Sequence, residues 1–390
     1  MAEIVQIETP APRGTPRSVG KSLLLTLPIL LWALLMFSQS LRVPGASPKI
    51  AGLVVLVFMV TLFFLMVRTR KTYRWRRIFF VSLGLLFPIG FIWDLLALRG
   101  SMSIPIEKMI SGDTPFCFLA IPMMIVPAAL TKTIAFPGSI LPTLTNPHAI
   151  GPMVALWLAA TLVLGKGWCA YGCFFGGIEE GFAAFPRKAR IKHVDPRWRW
   201  APWAVLAAVV LISAATFTPT YCEWLCPFKA VTEFPEVNSA QTTVQAGIFG
   251  SLFVGLVLVL PFLTKLRTQC TILCPFGAFQ SLFNKLSVFD VRIDREKCTD
   301  CVTCRRACPT LSLDEGSVGK GRAMMSCMRC GACVDACTKD AARWHVKGTS
   351  LSASPETARL LYLYPAWAFA TLFGGSIIAG TVEKLVHLAV

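Results

Sequence analysis

Seven apolar runs dominate the chain, at about 22–41, 50–67, 78–98, 150–165, 201–219, 246–264 and 359–380. Most approach or exceed the roughly 18 residues that read as a bilayer-crossing helix. Spans of that kind must satisfy their backbone hydrogen bonds internally. The expected fold is therefore an α-helical integral membrane protein of about seven transmembrane helices. Composition agrees, since 55% of the 390 residues are hydrophobic and only 15% are charged. A soluble domain is rarely so apolar.

The formal net charge is +17. Such an excess can mean nucleic acid, but here it follows the connections between spans, and no nucleic-acid partner is expected. The stretch RTRKTYRWRR after the second span holds six basic residues and no acid. The connection after the fourth carries Lys166, Arg187, Lys188, Arg190, Lys192, Arg197 and Arg199. The one after the fifth has only Lys229 against Glu223, Glu233 and Glu236. The even-numbered connections then face the cytoplasm, as does the tail at 1–21, and the C-terminus faces outward. The expected location is a bacterial cytoplasmic (inner) membrane. The long loop at 99–149 holds FCFLAIPMMIVPAAL with Pro115, Pro122 and Pro127. Prolines so placed suit a re-entrant segment at about 115–130 better than a straight span.

Fifteen cysteines are grouped, not scattered. CTDCVTCRRACP places Cys298, Cys301, Cys304 and Cys308, and CMRCGACVDAC places Cys327, Cys330, Cys333 and Cys337. This is the bacterial-ferredoxin spacing C-x2-C-x2-C-x3-C, twice. Three close thiolates wrap one corner of a [4Fe–4S] cube, and the fourth reaches the other cluster. Cys298, Cys301, Cys304 and Cys337 are thus expected at one cluster, and Cys327, Cys330, Cys333 and Cys308 at the second. Zinc is the competing reading, but a zinc site takes four cysteines and leaves the duplicated order unexplained. The module is expected over 275–350, a small α+β unit inserted between the membrane domain at 22–274 and the last span. It is too short to bury much core, so its clusters would hold it together.

Three further pairs share the spacing C-x3-C: Cys169/Cys173, Cys222/Cys226 and Cys270/Cys274. Residues i and i+4 share one helix face, so one pair supplies half of a four-cysteine site. By the charge-derived topology the first and third pairs lie at the cytoplasmic face and can join in a third cluster. A redox-active dithiol, or buried free cysteines, are the alternatives. Cys222/Cys226 are expected at the outer face, roughly 30 Å away. With Cys117 and a fourth ligand such as Asp113 or His148 they could bind a further cluster. A disulfide, or pairing with cysteines of a partner subunit, would serve equally.

Several chemistries lack their signatures. C-x-x-C-H, a P-loop and G-x-G-x-x-G are absent from the sequence, which argues against c-type haem attachment, ATP-driven transport and a Rossmann cofactor. Asp94 near the end of the third run is read as a partner of Arg99, with a proton or quinone role as the alternative. PRWRWAPW at 196–203 reads as an interfacial anchor.

GKGWCAYGCFFGGIEE and CTILCPFGAFQSLFNKLSVFD resemble the paired C-x3-C motifs of NapH/NosR-type membrane polyferredoxins, where a ferredoxin module likewise follows the second motif. The resemblance covers about 150–340. It implies an electron-transfer subunit of an oxidoreductase complex, quinol dehydrogenase-like, working with an extracytoplasmic respiratory enzyme. It also carries a ligand role to Cys169, Cys173, Cys270, Cys274 and the eight ferredoxin cysteines. Phe174 stands where the family has proline, the middle C-x3-C is additional, and the flavin-binding domain of NosR is absent. The expected function is single-electron relay between cytoplasmic-side clusters and the membrane or outer face. The expected partners are membrane lipid, a respiratory or periplasmic redox protein, a soluble cytoplasmic donor or acceptor, and as a candidate a quinone. Two other functions fit the cysteines. One is an assembly or maturation factor handling metal or thiols for a periplasmic metalloenzyme, as FixG-like polyferredoxins are thought to do. The other is a redox sensor.

Overall fold

The computed structural model describes residues 16–98, 150–191, 194–216, 220–227, 229–232, 237, 239–350 and 354–389. The expected re-entrant segment at 115–130, with Cys117, lies outside the described residues, as do Asp113, His148 and the side chains of Asp94 and Cys222.

Three long helices open the fold: α1 (Val19–Arg42), α2 (Ala46–Thr69) and α3 (Thr72–Leu98). Helices of 24 residues reach about 36 Å at the α-helical rise. The turn between α1 and α2 runs through Gly45, whose φ of +122° disfavours a side chain. Leu24, Leu31 and Leu35 on α1 are 59–70% exposed, an apolar stripe that only lipid or another protein would cover.

The fourth run does not stop where its hydropathy suggests. α4 (Ile150–Leu164) continues through a tight turn into Trp168–Tyr171, and α5 (Phe174–Ala184) leaves at 45°. Cys169 and Cys173 therefore flank a break inside the apolar segment. α6 (Ala201–Thr216), entered through Pro196–Trp200, is followed by a π-helical turn at Tyr221–Leu225. α7 (Ala240–Thr264) leads to a second such turn at Gln269–Leu273, and α8 (Pro275–Phe283) follows. α9 (Pro355–Ala389) ends the described chain. Among the described residues, five helices are long and apolar enough to cross a membrane: α1, α2, Pro196–Thr216, α7 and α9. They become six if the bent pair is one span.

α9 packs through its polar edges. The indole of Trp367 donates to the Met59 carbonyl (3.0 Å), and the Tyr364 hydroxyl donates to that of Leu25 (2.7 Å). In the other direction, the indole of Trp32 on α1 donates to the Ala368 carbonyl (3.0 Å).

α3 and α5 approach closely because both lack a side chain at the crossing. A Cβ at Gly177 would overlap the Phe80 carbonyl oxygen and come within 2.9 Å of the Gly84 Cα. Gly177→Val is expected to force these helices apart and cost about 1–3 kcal/mol. Thermal unfolding of the purified variant measures it, and an unchanged melting temperature would contradict the packing.

The small module between α8 and α9 holds one two-stranded antiparallel sheet. β1 (Phe289–Ile293) pairs with β2 (Ala342–Val346), with Val291 opposite Trp344. Trp344 stacks on Tyr362 of α9 (4.5 Å), and the Tyr73 amide of α3 donates to Asp335 (2.7 Å). On another side Arg199, just before α6, pairs with Asp314 (2.9 Å).

Candidate metal centres

The two ferredoxin runs fold as the same loop twice. Positive φ recurs at matching places after the cysteines: Asp300 (50°) and Arg329 (52°), Val302 (63°) and Gly331 (85°), Leu311 (52°) and Asp340 (52°). A β-branched residue such as Val302 is costly there, so something other than local preference holds the loop in this shape. Backbone amides are aimed at sulfur: Ser312 at Cys308 Sγ (3.2 Å), Arg329 at Cys327 Sγ (3.4 Å) and Ala342 at Cys337 Sγ (3.4 Å). Such bonds favour thiolate and tune a bound cluster.

The fold joins the runs crosswise. Cys298, Cys301, Cys304 and Cys337 line one cavity of about 480 Å³. Burial, then the charges of Cys337, Cys298 and Cys301, push the Cys304 thiol up to about 11. The complementary set is as close: burial, then the charges of Cys327, Cys330 and Cys308, push Cys333 well up. Thr303 hydrogen bonds do the opposite to Cys301, lowering it.

The first and third C-x3-C pairs also converge. Cys274 lies within electrostatic reach of Cys169 and Cys173, and Cys270 within reach of Cys173 and Cys274. The second cysteine of each pair has the same extended backbone, with φ/ψ of −81°/105° at Cys173, −80°/104° at Cys226 and −66°/105° at Cys274. Each stands where a π-helical or short helical turn gives way to the next segment.

The expected 30 Å separation of the middle pair is not what the structure has. Cys226, Tyr221, Val209 and Phe175 form one small core, with Cys173 packed against it. The Gln269 side-chain amide donates to the Tyr221 hydroxyl (3.3 Å). A return of the chain after α7 accompanies this packing. Thr268 turns back, and its hydroxyl donates to the Leu256 carbonyl (2.5 Å), so the turn bearing Cys270 runs back along its own helix. Charge counting places the ends of connections and is blind to such a return.

Several residues of the junction were not among those singled out as ligands. Arg267, fully buried, donates to Cys270 Sγ (3.2 Å) with one nitrogen and to Met328 Sδ (2.9 Å) with another. Its amide donates to the carbonyl of Pro309, the residue after Cys308 (2.8 Å). Glu179, also fully buried, lies 3.6 Å from the guanidinium and accepts from the Gln269 amide (2.5 Å). A parallel pair, Arg76 with Glu180, is equally buried. Arg329 donates to the Leu164 carbonyl that ends α4 (2.5 Å), and Asn284 donates to the carbonyls of Met325 (2.6 Å) and Cys327 (2.8 Å). One signal was readable: Glu179 and Glu180 break an apolar stretch beside a cysteine turn, where a carboxylate needs a reason.

Among the described residues no three Cys, His, Asp or Glu side chains converge as ligands of a single metal ion. The ligands of a cubane need not, because each binds a different iron. The crosswise cavity, the amides aimed at sulfur and the four-cysteine composition of each set fit [4Fe–4S] clusters. When bound, such clusters supply one-electron redox chemistry.

Comparison with known proteins agrees. A 4Fe-4S dicluster domain family matches residues 290–338. A 4Fe-4S binding domain family matches three times, at 146–192, 200–237 and 246–294, one C-x3-C pair in each. The ferredoxin-type protein NapH of Haemophilus influenzae is 26% identical over 189 residues, covering 45% of this chain and 61% of that one. NapH of Escherichia coli is 28% identical over 143 residues, covering 35% and 47%. The putative electron transport protein YccM of Escherichia coli is 26% identical over 207 residues, covering 50% and 55%. The chain thus spans about half the length of these relatives. No solved structure matches it. Duplicated ferredoxin loops, repeated cysteine turns on apolar helices and these matches together make the chain a protein with 4Fe-4S binding domains, similar to the NapH ferredoxin-type proteins.

Proposed function

We propose that the chain relays single electrons through three [4Fe–4S] clusters, between the ferredoxin module and the membrane domain. The module would hold one cluster on Cys298, Cys301, Cys304 and Cys337 and a second on Cys327, Cys330, Cys333 and Cys308. The third would sit on Cys169, Cys173, Cys270 and Cys274. The observation that carries this reading is Arg267, one side chain that touches Cys270 Sγ and Met328 Sδ at once. It makes the second and third cysteine sets neighbours. Cys333 is within electrostatic reach of Cys304 as well, which supports an unbroken order from first set to third.

The domains follow the same order: a cytoplasmic tail at 1–21, a membrane domain at 22–274, the module at 275–350 and a last span near 359–380. The basic second and fourth connections support a cytoplasmic module in an inner membrane. The relatives' names, ferredoxin-type protein and putative electron transport protein, support a redox partner in electron transfer.

Iron and acid-labile sulfide per chain, on protein purified without oxygen, test it. About twelve irons are expected, at four per cluster. About eight would leave the C-x3-C pairs as thiols and overturn the relay between module and membrane domain.

A further inference from the structure

A second opening, of about 580 Å³, lies where α3, α5 and α7 meet the module. Arg77, Arg187, Lys265 and Arg267 line it against a single carboxylate, Glu180. Among the described residues neither Arg77 nor Arg187 has a carboxylate partner. Lys265 ends α7 in a left-handed turn, and its ammonium donates to the carbonyls of Pro186 (2.8 Å) and Arg187 (3.2 Å). Desolvation, then the like charge of Arg77, lowers the Lys265 pKa. Arg77, Arg187 and Lys265 thus share the cavity without a carboxylate partner among the described residues.

Glu180 is already engaged. It is 2% exposed, and its carboxylate accepts from Arg76. An occupant must therefore bring an anionic oxygen for the cations. The rim sets a second condition. Phe185 is 82% exposed, and its ring lies 6.2 Å from that of Phe262 on α7, an apolar edge at the ends of the membrane helices.

We propose that this cavity binds the headgroup of an anionic phospholipid. The phosphate sits among Arg77, Arg187 and Lys265, and the acyl chains leave over Phe185 and Phe262. A free phosphate satisfies the cations but not the apolar rim. A zwitterionic headgroup adds a cation where Arg77, Arg187 and Lys265 already lack a carboxylate partner among the described residues. Because Pro309 of the module also lines the cavity, the bound lipid fills the seam between module and membrane helices.

Native mass spectrometry of the detergent-purified holoprotein tests this. Phosphatidylglycerol is titrated against phosphatidylcholine of the same chains, for the wild type and for Arg77→Gln/Lys265→Gln. The wild type is expected to retain the anionic lipid about tenfold or more over the zwitterionic one, a preference the double variant loses. Unchanged iron content shows that the variant is folded, and the single change Lys265→Met with a partial loss serves if the double variant is not. Equal retention of both lipids, or a preference that survives the substitutions, would overturn the proposal. So would displacement of the lipid by inorganic phosphate alone, which would mark a phosphate site. The outcome is independent of the cluster count, so it can fail while the electron relay stands.

Discussion

Arg267→Met is expected to cost about 3–5 kcal/mol, because it leaves the fully buried Glu179 charged without its partner. The measurement is thermal unfolding followed by the visible absorbance of the clusters. Glu179 keeps the amides of Gln269 and Cys270 as donors, at 2.5 and 3.3 Å, but two dipoles do not replace a cation. Arg267→Met combined with Glu179→Gln removes both charges and should recover most of the loss. If the double variant is no better than the single one, the pair is not what holds the junction. A second consequence is electronic. The guanidinium donates to Cys270 Sγ, and a cation at a ligand sulfur favours the reduced cluster. In the rescued double variant one cluster should therefore titrate at a lower potential while the cavity cluster stays put. Arg267→Lys would not substitute, because a single ammonium lacks the fork that reaches two sulfur atoms.

Cys337→Ala is expected to remove the cluster belonging to the other run. Cys337 lines the cavity with Cys298, Cys301 and Cys304, so its loss should give the same electron paramagnetic resonance spectrum as Cys298→Ala. Cys308→Ala should in turn match Cys330→Ala. Each variant loses about four irons. If Cys337→Ala instead matches Cys330→Ala, the runs bind independently and the crosswise assignment fails.

The cysteine loops were readable from sequence because their chemistry is local. Spacing decides which thiols share a turn. The structure repeats even the left-handed positions, at Asp300 and Arg329 and at Val302 and Gly331. The long apolar helices were readable for the same reason: length and hydropathy are properties of one segment. What was not readable depends on two segments meeting. Arg267 is three residues from Cys270, yet its contact with Met328 joins residues 61 apart. Asn284 looks like any polar residue ending a helix until Cys327 lies above it. The return of the chain at Thr268, which accompanies the contact of Tyr221 with Gln269, leaves no mark in charge or hydropathy.

The docking of the module limits how electrons can travel. Many soluble carriers work by diffusion, swinging a redox group from donor to acceptor. Here the module is held by Tyr73 on α3, by Tyr362 on α9, by Arg199 before α6, by the Leu164 carbonyl of α4, which accepts from Arg329, and by Asn284 at the end of α8. A body gripped on so many sides has no stroke to make. In the proposed relay, transfer between the second and third cysteine sets would then be set by a fixed tunnelling gap, and solvent viscosity should not govern its speed.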